Sequence, residues 1–111
     1  MIGRGLALTL GLTMGLIACG RPWMPVATPA DATRAQAMWP ATTVDELNRG
    51  RTLVLRRCSS CHQPPSPSQR TAAEWPAQVA AMAERAGLEP DEHPPLTHYL
   101  QTFGRDQVAR P

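Results

Sequence analysis

Five residues constrain this chain more than any others: Cys58-Ser59-Ser60-Cys61-His62, or CSSCH. Two thiols and an imidazole crowded into one short stretch serve cross-linking, metal ligation or covalent attachment of a cofactor. The proline-rich QPPSPSQ of residues 63–69 follows at once, so the motif closes a regular element rather than lying inside one. The remaining segments decide which chemistry applies and what completes the site.

The N-terminus removes one cysteine from the count. MIGRGLALTLGLTMGLIACG carries Arg4, then an apolar run from Leu6 to Ala18. That run is short and glycine-rich for a membrane span, which takes about 20 apolar residues. It has the order of a secretory signal: charged start, apolar middle, small residues at the end. The end, Leu16-Ile17-Ala18-Cys19, resembles the lipobox of bacterial lipoproteins. The resemblance implies cleavage after residue 18, acylation of Cys19 and a mature chain on the periplasmic side of a membrane. Gly20 lacks the aspartate associated with inner-membrane retention, which leans toward the outer membrane. Cys58 and Cys61 are then the only remaining pair.

Residues 19–43 read as a lipidated N-terminus and tether. Prolines at 22, 25, 29 and 40 punctuate small residues without a period of 3.6 or 2. At most a short helical turn around Asp31–Met38 is compatible with this segment. Trp23, Met24, Met38 and Trp39 are unusual in a free linker; they are expected to lie against the lipid surface or the domain, with one tryptophan packed on the folded part.

From Thr43 the pattern turns helical. Thr43 and Glu46 form a capping-box pattern, and Val44, Leu47, Val54 and Leu55 follow at helical spacing to about Arg57. Gly50 inside this helix costs roughly 1 kcal/mol against alanine, which points to a second backbone packed closely there. A second helix is expected over 72–86. It starts either at a Thr71/Glu74 box or at Pro76, and stops at Gly87. Trp75, Val79, Met82 and Ala86 share its face. A third, over 91–103, presents Leu96, Tyr99, Leu100 and Phe103. These features predict an all-α, compact three-helix domain over 44–104, with 105–111 as a tail. Aromatic residues are only 5% of the chain. Three short helices with so few large side chains would surround a staple better than they would fill a core alone.

C-x-x-C-H is the attachment signature of c-type haem. The two thiols add to the porphyrin vinyl groups, and the adjacent imidazole turns to the iron. Zinc in a structural site takes four ligands. Cys58, Cys61 and His62 supply three in awkward succession, with His93 or His98 needed as a fourth. A thiol–disulfide exchange site expects a βαβ setting, and no strand pattern is present. A plain structural disulfide is the remaining reading. The motif and its expected compartment favour haem.

The pattern DELNRGRTLVLRRCSSCH, then EWPAQVAAM, then LTHYL resembles a small class I c-type cytochrome domain over roughly residues 44–104. The resemblance implies a cytochrome c-like fold around one covalent haem c, held by Cys58 and Cys61 with His62 as proximal ligand. Gly50 and Tyr99 match the positions where the family's first and last helices cross. Short cytochrome domains with a W-x-x-x-V-x-x-M helix are similar, and their methionine is the distal ligand, which here implies Met82. Only residues 63–93 separate His62 from Pro94, so a more exposed haem edge is implied than in longer members.

The sixth iron position decides function, since a methionine there raises the potential and an open position invites gas binding. Met82 is the only methionine after the motif. His93 and His98 are the rivals, an open site the other alternative. The expected function is single-electron transfer between redox proteins: a dehydrogenase, a reductase or another cytochrome. A haem-based ligand-binding or sensing protein is the alternative. No catalytic residue set is apparent and no small-molecule substrate is expected. A net charge of +2 is too weak to argue for nucleic acid. Arg49, Arg51, Arg56 and Arg57 read as a solvated helix face, or as a patch that pairs with haem propionates or steers an acidic partner.

Overall fold

The computed structural model describes residues 23–59 and 62–108. The expected signal segment, Cys19 and Cys61 lie outside the described residues. Those described are all-helical, with four α-helices: α1 Pro29–Ala35, α2 Val44–Arg57, α3 Trp75–Ala86 and α4 His93–Thr102. Short 3-10 turns at Pro67–Gln69, Ala72–Glu74 and Pro90–Glu92 join them. None of these helices is long and apolar enough to cross a membrane.

Helix starts follow side-chain acceptors for free amides and prolines in first turns. The Thr43 hydroxyl accepts from the Glu46 amide at 3.1 Å and starts α2. Both sequence-derived starts for α3 are used. The Thr71 amide donates to Glu74 at 3.4 Å and opens the 3-10 turn, and Pro76 then sits in the first turn of α3. Gly87 ends α3 at φ +66°, a left-handed conformation that a side chain would strain.

The core forms where α2 crosses α4. Leu47, Val54, Trp75, Leu96, Tyr99 and Leu100 are all at most 1% exposed. Gly50 is what lets the two helices meet. A β-carbon there would lie 2.7 Å from the Tyr99 Cβ and 2.8 Å from the Pro95 carbonyl carbon, closer still to the Pro95 oxygen. The mid-helix glycine therefore has a packing cause.

The N-terminal region departs from expectation. Residues 24–42 are not a free tether: Met24, Ala27, Ala32 and Ala35 are buried against the helical body. The cause is local. Pro29 lies in the first turn of α1, and the Thr28 amide donates to Asp31 at 2.8 Å. A strap of residues 24–27 is then held by polar groups of the other helices. Arg51 donates to the Met24 carbonyl at 3.0 Å, and the Tyr99 hydroxyl to the Pro25 carbonyl at 2.6 Å. Asn48 both accepts from the Ala27 amide and donates to the Ala27 carbonyl. Arg34 of α1 donates to the carbonyls of Thr102 and Gln107, tying the strap's helix to the end of α4. The helical body thus has four helices rather than three, and begins near residue 24 rather than 44.

Candidate functional site

The sequence motif leaves the last turn of α2 at Cys58, whose amide still donates to the Val54 carbonyl at 3.1 Å. Cys58 is half-buried, and burial pushes its thiol above the ordinary range. His62 is exposed four residues on, and its Nδ1 lies 2.8 Å from the Gln63 carbonyl oxygen. A carbonyl can only accept, so Nδ1 is the donor in this contact, and the neutral ring then has its lone pair on Nε2. Ligating histidines commonly use one ring nitrogen in this way and offer the other.

Two adjoining clefts meet at His62. One, of about 340 Å³, is lined by His62, Pro64, Pro65, Trp75 and Met82, with Trp23 and Arg70 on its walls. The other, of about 300 Å³, is lined by Cys58, His62, Met82 and Ala86, with Arg57 and Arg85. His62, Gln78 and Met82 are common to both. Pocket volumes of this order hold organic ligands. No carboxylate lines either cleft, whereas three arginines do. The smaller cleft is mainly apolar and the larger one mixed, both carry arginine, and the nitrogen and sulfur donors of His62 and Met82 suit a soft or borderline metal.

The 63–70 loop is shaped by Trp75. Its indole is fully buried and donates to the Pro67 carbonyl at 2.9 Å, which fixes the proline loop against α3. The same helix then presents Met82, two turns later, half-buried and on the cleft. The structure thus brings together Cys58, His62 and Met82 from the sequence-derived site.

The rival histidines lie elsewhere. His93 opens α4 and His98 sits within it, and neither lines these clefts. His98 instead stacks on Trp39, ring centroids 3.9 Å apart at 17°, so one tryptophan does pack on the body. Its Nδ1 is buried without a hydrogen-bond partner. Burial lowers the His98 pKa from 6.5, and Glu46 of α2 opposes that shift in part. Because the folded state resists the proton that the unfolded chain accepts, this contribution to stability is complete above about pH 6.5 and declines as pH falls through the lowered value. Replacing His98 with phenylalanine keeps a ring against Trp39. It is expected to flatten the loss of the urea midpoint between about pH 7 and pH 5. An identical slope in the variant would place the acid sensitivity elsewhere.

The arginine face resolves into separate partners. Arg49 pairs with Asp91 at 3.0 Å on the surface, and Arg51 holds the strap. Arg57 pairs with Glu92 at 3.0 Å. The Glu89 amide and the Arg57 guanidinium hold the Glu92 carboxyl below the usual range. This pair, Glu92 included, gave no signal in helical periodicity, although Glu89-x-x-Glu92 has capping-box spacing. Trp23, Arg70 and Gln78 also line the cleft without having been singled out as site residues, because spacing along the chain does not reveal which loops converge. No cluster of three or more His, Cys, Asp or Glu among the described residues is placed to hold a metal ion. Comparison of the chain with protein-family models, with characterised proteins and with solved structures returned no match.

Proposed function

We propose that this chain is an extracytoplasmic, lipid-tethered monohaem c-type cytochrome that carries single electrons between redox proteins such as a dehydrogenase, a reductase or another cytochrome. The observation that carries the reading is His62 and Met82 sharing one cleft directly after a C-x-x-C pair, with the His62 Nδ1–H already committed to the Gln63 carbonyl. Histidine with methionine is a haem ligand set of electron-transfer cytochromes.

The residues fit the group. Cys58 lines the cleft and Cys61 completes the attachment motif. Pro64, Pro65, Trp75 and Ala86 give apolar walls, and Arg70 and Arg85 supply positive charge for carboxylates, Arg57 already being paired with Glu92. When bound, haem supplies a one-electron iron couple. His62 would offer Nε2 as proximal ligand and Met82 its thioether as distal ligand. Trp75 holds the proline loop in place and, with Val79, keeps water from the core side.

Intact-mass analysis of the chain, expressed with export and haem-attachment machinery, is expected to show one covalent haem per chain. A Cys58→Ala/Cys61→Ala double variant should show none. A wild-type chain that matures without haem would sink the proposal.

A second reading is a ligand-binding haem protein, favoured by the exposure of His62 and the partial exposure of Met82 on an open cleft. Carbon monoxide added to the reduced protein separates the two. An unchanged spectrum marks a retained sixth ligand, and a shifted one marks a displaceable site.

A further inference from the structure

Trp23 is the first described residue and 41% exposed, an unusual setting for the largest apolar side chain. It is not loosely placed. The Ser66 hydroxyl donates to its carbonyl at 3.1 Å, and the strap is bonded to α2 and α4 from the very next residue. Val26, three positions on, is 61% exposed.

Trp23 also stands between two hollows. One side lines the cleft of His62 and Met82. The other lines a groove of about 280 Å³ with Pro25, Pro67, Phe103 and Val108. The two charges on that groove, Asp31 and Arg34, neutralise each other in an ion pair of 2.9 Å. The groove side of Trp23 is thus largely apolar and without net charge, whereas its cleft side also carries Arg70, and the strap behind it is hydrogen-bonded in place.

Chain length says what covers it. Four residues carry the chain from Cys19 to Trp23. A fully extended chain advances at most ~3.6 Å per residue, so the Trp23 backbone lies within roughly 14 Å of the Cys19 backbone. Tryptophan is favoured at the membrane–water boundary, where its ring is half apolar and half wet.

We infer that the Trp23 face, comprising Trp23, Val26 and the groove against Pro67 and Phe103, docks on the lipid bilayer, so that the protein is held in one orientation rather than swinging on a tether. This rests on the reading of Cys19 as the lipid carrier.

Hydroxyl-radical footprinting of the full lipidated chain tests it, in phosphatidylethanolamine/phosphatidylglycerol liposomes against detergent micelles below one lipid equivalent per protein. Met38, 46% exposed in the connection to α2, is the reference. Interfacial burial is expected to slow oxidation of Trp23 about threefold in liposomes, with Met38 unchanged. Equal labelling of Trp23 in the two states, or equal protection of Met38, overturns the docking face. The mass of the N-terminal peptide is read from the same digest. A peptide without acyl chains overturns the lipid reading and the docking face with it, and is distinguishable from an acylated chain whose Trp23 stays reactive.

Discussion

Gly50→Ala is expected to lower the thermal midpoint by roughly 15 °C, from a loss of about 3 kcal/mol in a domain of this size. Alanine is intrinsically the better helix former by about 1 kcal/mol, so propensity alone predicts stabilisation. Packing opposes it. The new methyl would meet the Pro95 carbonyl and the Tyr99 Cβ, both part of or next to the α4 backbone. Backbone cannot rotate away as a side-chain tip can, so α2 and α4 must separate, and Leu47, Leu96 and Leu100 lose contact with each other's helix. Circular dichroism melts of Gly50→Ala and of Thr52→Ala, an exposed position on the same helix, make the comparison. A Gly50→Ala midpoint equal to wild type would mean that the crossing adapts freely.

The second large effect concerns the proposed electron carrier. Met82→Ala is expected to lower its reduction potential by on the order of 100 mV, because a thioether ligand favours the reduced iron. The reduced variant should also bind carbon monoxide, which the proposed ligand set would exclude in the wild type. The fold should survive, since Met82 is only half-buried and Trp75 and Val79 hold α3 to the core. Potentiometric titration with far-ultraviolet circular dichroism on the same sample separates ligation from unfolding. An unchanged potential and an unchanged spectrum would assign Met82 to packing alone.

The helices were legible where caps and periodicity agreed. Thr43 with Glu46, Gly87 as a stop, and the Leu96–Tyr99–Leu100–Phe103 face all occur as the local pattern dictates. Gly50 was legible for a subtler reason: a costly residue in a good helix needs a tertiary cause. The strap and α1 were not legible in the same way. Prolines at 25 and 29 read as linker, although Thr28-x-x-Asp31 around Pro29 is itself a helix-start signal. What decides the matter is burial of Ala32 and Ala35 and capture of carbonyls by Arg51 and Tyr99, and these depend on residues far along the chain. In the site, Cys58, His62 and Met82 followed from motif and composition. The arginines on the cleft did not, because Arg70 and Arg85 come from segments whose approach only the fold reveals.

The strap also has a consequence for the order of assembly. The Tyr99–Pro25 bond joins residues 74 apart, so nearly the whole chain must be present before it can close. Long-range closures of this kind come late, since their loop entropy is lost before any contact compensates it. On the proposed route of export, the N-terminal end emerges first yet finishes folding last. CSSCH, midway along the chain, would cross the membrane during that interval. It would meet the attachment machinery on an unlocked polypeptide, and only the arrival of α4 would end the time available for modification.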